Sequence, residues 1–321
     1  MSEETSYTAE EVAALLKISK LKVYDLLNKG ELPSYRVGKQ KRIDSSDLEA
    51  YKQRSKGASF APAKQPLSAP DAQPIMYTSP DAGAVRDRTL IITGQDVSLD
   101  ILARHLERRV PDRRPLRSYA SSMDSLVSMY RGEADIVSVH LLDGDSGTYN
   151  TPYVRKLFVG QSYVVVHLLK RSAGLYVKKG NPRKLTSWAD LAQADLRFAN
   201  REKGSGARVL LDEQLRLHGV KTAGLPGYEE EMSNHLAVAS KVASGEADIG
   251  VGSEKAARLV GGVDFVPLIQ EQVDLVMLKK ADNRPWIDGV IGILRSETFR
   301  NELLHMEGYD LSRTGDILYE S

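Results

Sequence analysis

Apolar positions along this chain fall into two alternating rhythms. Short runs that suit strands, "TLIIT" (89–93), "ADIVSVH" (134–140), "SYVVVHLL" (162–169), "LRFAN" (196–200), "ADIGVG" (247–252) and "VDLVMLK" (273–279), are separated by stretches of helical spacing such as "RVLLDEQLRL". That alternation predicts an α/β fold with parallel strands and helices on both faces of the sheet. Ligands of open sheets sit beyond the carboxyl ends of strands, which here directs attention to the loops beginning at Thr93, His140 and Asn200.

The pattern also repeats itself. "LVSMYRGEADIVSV" (126–139) and "VASKVASGEADIGVG" (238–252) share Gly-Glu-Ala-Asp-Ile, each after a helical run and before a strand-like one. Gly132 and Gly245 suit the left-handed residue that ends a helix, and Ile136 and Ile249 then start buried strands. The same context twice predicts two similar α/β lobes. Asp135 and Asp248 read as hydrogen-bonding strand-start residues, not as catalytic acids.

Residues 1–54 follow a different pattern. Thr8 with Glu11 three residues on makes a capping box, after which Val12, Leu15 and Leu16 form an apolar face. Ser19 caps a second helix with Val23, Leu26 and Leu27 inward, stopped by Gly30. Two short helices joined this tightly predict a helix-turn-helix, and "ELPSYRVGKQKRI" predicts a hairpin wing turning at Gly38, Lys39 and Gln40. From Lys17 to Arg42 eight cations stand against Asp25 and Glu31, a local balance of +6. Such a patch suits the phosphates on either side of a major groove of double-stranded DNA. The candidate DNA contacts are Ser19, Lys20, Lys22, Tyr24, Arg36, Lys39, Gln40, Lys41 and Arg42.

Between the two patterns, residues 55–85 begin with a segment carrying Pro62, Pro66, Pro70 and Pro74 amid Ala and Ser, which predicts a semi-extended linker. The expected organisation is therefore 1–54, a linker over 55–85, and a two-lobed ligand-binding domain over 86–321. Lobe 1 is placed at about 86–162 and 266–321, and lobe 2 at about 163–265.

Composition narrows the chemistry. The 321 residues carry a net charge of +1, so basic surface must be local, and cysteine is absent, which removes disulfides, thiolate metal sites and cysteine nucleophiles. The charged start and the lack of any apolar run near 20 residues predict a cytoplasmic protein with no membrane partner. No HExxH or G-x-S-x-G is present, so no enzyme activity, cofactor or metal is expected. "DGDSGTYN" (143–150) resembles a calcium loop but has Val154 where the bidentate carboxylate belongs.

"NREKGSGARVLLDEQL" is neither a Walker A loop nor a Rossmann fingerprint, because Ala207 and Arg208 follow Gly206. It reads instead as a strand end at Asn200, a glycine turn, and a helix beginning near Ser205 whose free N–H groups suit an anion. Arg201 and Arg208 supply charge if they point inward. Ser121 and Ser122 stand before a second helix, in the other lobe, and "TGQD" (93–96) offers Thr93 and Gln95 as further donors. A cleft walled by two serine-bearing helix starts suits a small oxyanion, while the arginines suit a carboxylate or phosphate. His140 and His235 fall where an imidazole can face a ligand.

Two resemblances attach to these motifs. Residues 7–52, with the pieces at 8–16, 19–26, 30–33, 36–42 and 47–51, resemble the excisionase-type, MerR-related winged helix-turn-helix family. From about 89 to 279 the chain resembles the periplasmic-binding-protein-like domain found fused to molybdopterin molybdenumtransferase and to helix-turn-helix regulators. The marks are "GEADIVSVHLLD" with "YN" (149–150), "KRSAGLYVKKGNP" (170–182), "LRFANREKGSGARVLLD" (196–212) and "NHLAVASKVASGEADIGVG" (234–252). The chain departs at Ala120, Glu202 and Ala207, where glycine, glutamine and threonine are common in that family. The resemblance implies a type II two-lobed fold that senses molybdate, tungstate or a related anion, and it adds Asn150 and Arg171 to the candidate contacts.

The expected function is a one-component transcription regulator, a homodimer or homotetramer, with a small anionic ligand. The alternatives are a sensor of an organic anion or molybdenum-cofactor-related compound, a molybdenum-cofactor accessory protein, and a DNA-architectural factor.

Overall fold

In a computed structural model of the protein, residues 6–16, 18–28, 32–37, 40–55 and 89–321 are described. They fall into two compact units, 6–55 and 89–321. Most of the expected linker, with Gly30, Gly38 and Lys39, lies outside the described residues.

The smaller unit is built on the capping box. Thr8 N–H donates to Glu11 Oε2 (2.8 Å) and Glu11 N–H to Thr8 Oγ1 (3.3 Å), which starts α1 (Ala9–Leu16). Lys22 N–H donates to Ser19 Oγ (3.3 Å) at the start of α2 (Lys20–Asn28). The buried face of α1 is Ala9, Val12 and Ala13 with Leu16 packed alongside, the i, i+3, i+4, i+7 stripe; Leu15 falls off that stripe and is exposed, against expectation. Val23, Leu26 and Leu27 of α2 complete the core with Leu32, Ile43 and Leu48. The wing strands β2 (Tyr35–Val37) and β3 (Gln40–Asp44) pair antiparallel, and β1 (Ser6–Thr8), which sequence reading did not foresee, pairs on the other side of β3. Helix α3 (Ser45–Ser55) follows.

The larger unit is one ten-stranded sheet rather than two separate parallel ones. Strands β4 (Thr89–Thr93), β5 (Arg114–Ser118) and β6 (Ile136–Val139) are parallel, as are β10 (Phe198–Arg201), β11 (Glu231–Met232) and β12 (Ile249–Ser253). Between the two sets run β9 (Tyr163–Lys178) and β13 (Val263–Leu278), paired antiparallel over nearly their whole length. The expectation of parallel strands fails here because both segments continue past the residues read as strands and pass from one lobe into the other. A small hairpin, β7 (Leu142–Asp143) with β8 (Thr148–Tyr149), and two short strands on β9, β14 (Tyr309–Asp310) and β15 (Ile317–Glu320), complete the set.

Side-chain alternation on β9 builds four cores. In lobe 1, Val164, Val166 and Leu168 enter one cluster with Leu90, Ile92 and α4 (Ser98–Arg109), whereas Tyr163 and Val165 enter the opposite one with α5 (Ser122–Tyr130) and α6 (Thr151–Leu157). In lobe 2, Leu175 and Val177 pack with Phe198 and α7 (Gly206–Leu217), and Tyr176 packs with α8 (His235–Ala243) and α9 (Glu254–Leu259). Helices α10 (Arg284–Arg295) and α11 (Glu297–Leu304) close lobe 1. Burial on both faces explains the apolar run at 163–169, interrupted only by His167.

The repeated Gly-Glu-Ala-Asp-Ile does the same task in each lobe. Gly132 and Gly245 have φ of 77° and 80° directly after their helices, in the left-handed region glycine favours. Asp135 Oδ2 accepts from Ile91 N–H (2.8 Å) and Asp248 Oδ2 from Arg197 N–H (3.0 Å), tying each new strand to its parallel neighbour. No described helix is long and apolar enough to cross a membrane.

Candidate functional site

The two serine-capped helices meet across the lobes. Ser121 Oγ accepts from Asp124 N–H (3.2 Å) at the start of α5, and Ser205 Oγ from Arg208 N–H (3.3 Å) at the start of α7. Their first N–H groups lack intrahelical acceptors. Met123 N–H reaches across to the Gly204 carbonyl (3.0 Å), so the lobes are in direct contact here. What remains between them is a cavity of about 10 Å³ lined by Gly94, Gln95, Ala120, Ser121, Ser122, Ser138, His140, Arg201, Ser205 and Gly206. That is room for about one water.

His140 forms one wall. Its backbone N–H donates to Ser122 Oγ (3.3 Å), and its Nδ1 lies 3.2 Å from the same hydroxyl. Burial, opposed by the Glu271 charge and assisted by Arg171 and Arg201, pushes the imidazole down to about 4, so the ring is neutral at physiological pH. Gly206 faces it so closely that a Cβ would stand 2.0 Å from His140 Cδ2 and 2.5 Å from its carbonyl oxygen. Thr93, one residue before the cavity, has a buried Oγ1 without a hydrogen-bond partner.

Each of the three candidate arginines is neutralised in place. Arg171 is buried between Asp96 Oδ2 and Glu271 Oε2, both at 2.6 Å, and Tyr309 also donates to Asp96 (3.1 Å). Burial pushes the Asp96 carboxyl up, but Arg171 and the Ser98 hydrogen bonds outweigh it and hold the group below the usual range. Arg201 pairs with Glu202 (2.5 Å) and donates to Gln95 Oε1 across the cleft (2.8 Å). Arg208 turns away from the cavity, bonding Asp212 (2.9 Å) and the Arg201 carbonyl (3.3 Å) and lying 4.3 Å over the Tyr228 ring. The departure at Glu202 is therefore the residue that cancels Arg201.

Of the candidate contacts, Gln95, Ser121, Ser122, His140, Arg201, Ser205 and Gly206 line the one small cavity, while Arg171 and His235 line a larger compartment beside it. Asn150, Asn200 and Arg208 line neither space and are engaged elsewhere. Asn150, at φ 62°, accepts from Leu141 N–H (2.7 Å) and donates to Asp274 (2.7 Å), and the same carboxylate meets buried His167 (2.8 Å). Asn200 donates to the Tyr228 carbonyl (3.1 Å) and accepts from Arg201 N–H. Both have short side chains already committed to the backbone that shapes the loops. Sequence reading missed Asp96, Glu271, Tyr309, His167 and Asp274, because pairing partners over 75 to 213 positions away leave no local pattern. Among the described residues no cluster could hold a metal ion.

In the smaller unit, Ser19, Lys20, Lys22 and Tyr24 are exposed along α2. Lys20 pairs with Glu10, and Arg42 Nη1 donates to the Ser6 carbonyl (3.4 Å), so these two are partly engaged within the unit. Lys41 is half-buried, and Arg36 and Gln40 stand on the wing strands. Lys39 lies outside the described residues.

Comparison with known proteins gives two matched families. The PBP superfamily domain matches residues 103–295, and a helix-turn-helix domain matches residues 6–56. Over 322 residues the chain is 48% identical to the uncharacterized protein YvgK of Bacillus subtilis (strain 168), covering 100% of both. Among solved structures it is similar to the Corynebacterium glutamicum OxyR C206 mutant, at 11% identity, TM-score 0.50, 93% of this chain and 88% of that one. It is also similar to PhnD1 from Prochlorococcus marinus in complex with methylphosphonate, at 16% identity, TM-score 0.50, 70% of this chain and 92% of that one. At these identities the two structures share the fold.

The depressed His140 value sets a pH dependence. A histidine near 4 in the fold and about 6.5 unfolded leaves stability intact above pH 6.5 and removes it as pH falls toward 4. Each unit of separation is worth about 1.4 kcal/mol, so His140 accounts for a loss of roughly 2–3 kcal/mol, its ring keeping some solvent contact. Denaturant unfolding across pH 7 to 4 is expected to show that slope, and His140→Gln to reduce it, with buried His235 keeping part of it; an equal slope in the variant contradicts the assignment.

Proposed function

The chain belongs to the PBP superfamily and carries a helix-turn-helix domain, and from that premise we propose that it is a DNA-binding transcription regulator whose two-lobed domain senses a small tetrahedral oxyanion, molybdate or tungstate. The observation that carries the reading is the serine cavity: two helix starts, hydroxyls and a neutral imidazole converge there while every nearby arginine is held by a carboxylate. A site of neutral donors surrounds an oxyanion without burying an extra ion pair.

The contact between the lobes supplies the switch. A tetrahedral oxyanion is larger than the roughly 10–15 Å³ that admits one water, so it enters by displacing the Gly204 carbonyl from Met123 N–H and taking over that donor. The anion then favours a lobe arrangement different from the self-closed one, which is the differential affinity that any ligand switch requires. Such regulators gain operator affinity from two-fold symmetry, so a homodimer reading two half-sites is part of the proposal.

A thermal-shift panel of molybdate, tungstate, sulfate, phosphate and small carboxylates tests the sensor. Molybdate and tungstate are expected to raise the melting temperature, Ser205→Ala to weaken binding by about tenfold through loss of a charge-assisted hydrogen bond, and Gly206→Ala, whose Cβ wedges against His140, to abolish it. No shift with any oxyanion sinks the reading.

DNA binding is tested by a gel-shift salt series. Affinity is expected to fall steeply between about 50 and 200 mM salt, and Lys39→Glu with Lys41→Glu to reduce both affinity and salt slope. Binding that ignores salt, or survives the double reversal, overturns this half.

A further inference from the structure

A bare oxyanion leaves a much larger space between the lobes unused. Next to the serine cavity, and sharing Gln95 with it, is a compartment of about 630 Å³. Small-molecule sites commonly measure roughly 300–1,000 Å³ and are mostly apolar with a few placed polar groups. Val97 and Tyr119 of lobe 1 and Leu236 and Leu259 of lobe 2 line this space, and they are 37%, 68%, 44% and 69% exposed. Large apolar side chains gathered in solvent around one concavity mark a binding surface.

Two polar groups in the lining are open to a ligand. Lys255 lies over the Tyr309 ring, 5.2 Å from its centroid, and its Nζ is 3.8 Å from Met306 Sδ; it has no carboxylate partner among the described residues. The arginines of the same lining differ. Arg171 is held by Asp96 and Glu271, and Arg258 by Glu254 and Glu307, two carboxylates to each guanidinium, so among the described residues Lys255 is the lysine or arginine of the lining that is not already in a direct ion pair. His235 is the second group. Its Nδ1 is buried without a partner, against Gly252, where a Cβ would come within 2.6 Å of it. Burial also keeps the ring neutral. With Nδ1 walled in, the Nε2 edge is the one available to a ligand acceptor.

We propose that this compartment is a second ligand site, distinct from the serine cavity, for an organic monocarboxylic acid with an apolar ring-sized body. The carboxylate meets Lys255 Nζ and the His235 imidazole, and the body packs against Val97, Leu236 and Leu259 with Tyr119 at the rim. Because its walls come from both lobes, the acid binds best when they are closed and so biases the same equilibrium that the oxyanion biases from the serine cavity. The proposal stands independently of which oxyanion, if any, the serine cavity takes.

Isothermal titration of the full chain with benzoate, phenylacetate and 1-naphthoate tests it, with neutral benzyl alcohol and cationic benzylamine alongside. The acids are expected to bind, and the neutral and cationic analogues to bind at least about tenfold more weakly. Lys255→Met should weaken the acids by a similar factor and Lys255→Arg should restore most of it. Saturating molybdate or sulfate, which favours the other lobe arrangement, should weaken the acids only to a plateau and not displace them competitively, which separates this site from the serine cavity. Absence of binding by all three acids, indifference to Lys255→Met, preference for benzylamine, or competitive displacement by the oxyanion overturns the proposal.

Discussion

The antiparallel ladder between Tyr163–Lys178 and Val263–Leu278 is the constraint on which the larger unit depends. Both strands are long enough to serve two lobes, so the lobes share a backbone and cannot separate, only bend about it. The register is interrupted between Pro267 and Ile269 and between Val273 and Asp274, and such irregularities bend and twist a strand locally. Between those two points Arg171 sits opposite Glu271, with Tyr309 on its other side and Asp96 reaching in from the first loop. The bending region thus carries a buried charge network whose members come from four elements. The Asp274 carboxylate, bonded to His167, Asn150 and Gln272, anchors the strand just beyond it.

That network changes the chemistry of the cleft. Arginines facing a ligand would favour carboxylates or phosphates by bidentate hydrogen bonds. Here the guanidiniums are already engaged: Arg171 holds the bending region, Arg201 joins Glu202 to Gln95, and Arg208 braces lobe 2 against Tyr228. The groups left to face the serine cavity are the Ser205 hydroxyl, helix N–H groups and a neutral histidine, the Ser121 hydroxyl donating to Asp124 (2.7 Å) and that of Ser122 meeting His140 (3.2 Å). A small oxyanion fits that set, and the larger adjoining compartment, with a lysine that has no carboxylate partner among the described residues, fits a different class of ligand.

Much of this was legible in the sequence. The strand runs, both serine caps, the capping box at Thr8 and Glu11 and the repeated Gly-Glu-Ala-Asp-Ile are local signals, and each corresponds to a local hydrogen-bonding pattern in the fold. The antiparallel course of the long strands was not legible, because a strand buried on both faces has no alternation to reveal its length, partner or direction. Arg201 and Arg208 show a different limit. Their spacing near a glycine turn resembled an anion site, yet the carboxylates that neutralise them, Glu202 and Asp212, are equally near in sequence and nothing local says which way each side chain turns. Asn200, near the end of β10, and Asn150, just before α6, sit beside loops where ligands bind, and the same position makes them the residues that hold those loops.

The central claim, that neutral donors from two helix starts hold an oxyanion between the lobes, is tested most directly by anomalous diffraction from crystals grown with tungstate. The account predicts the strongest tungsten peak between Ser122 and Ser205, within hydrogen-bond reach of the Gly206 N–H, with the Met123 N–H released from the Gly204 carbonyl. A peak at Lys255 or on surface arginines instead, or no peak at saturating tungstate, would contradict it.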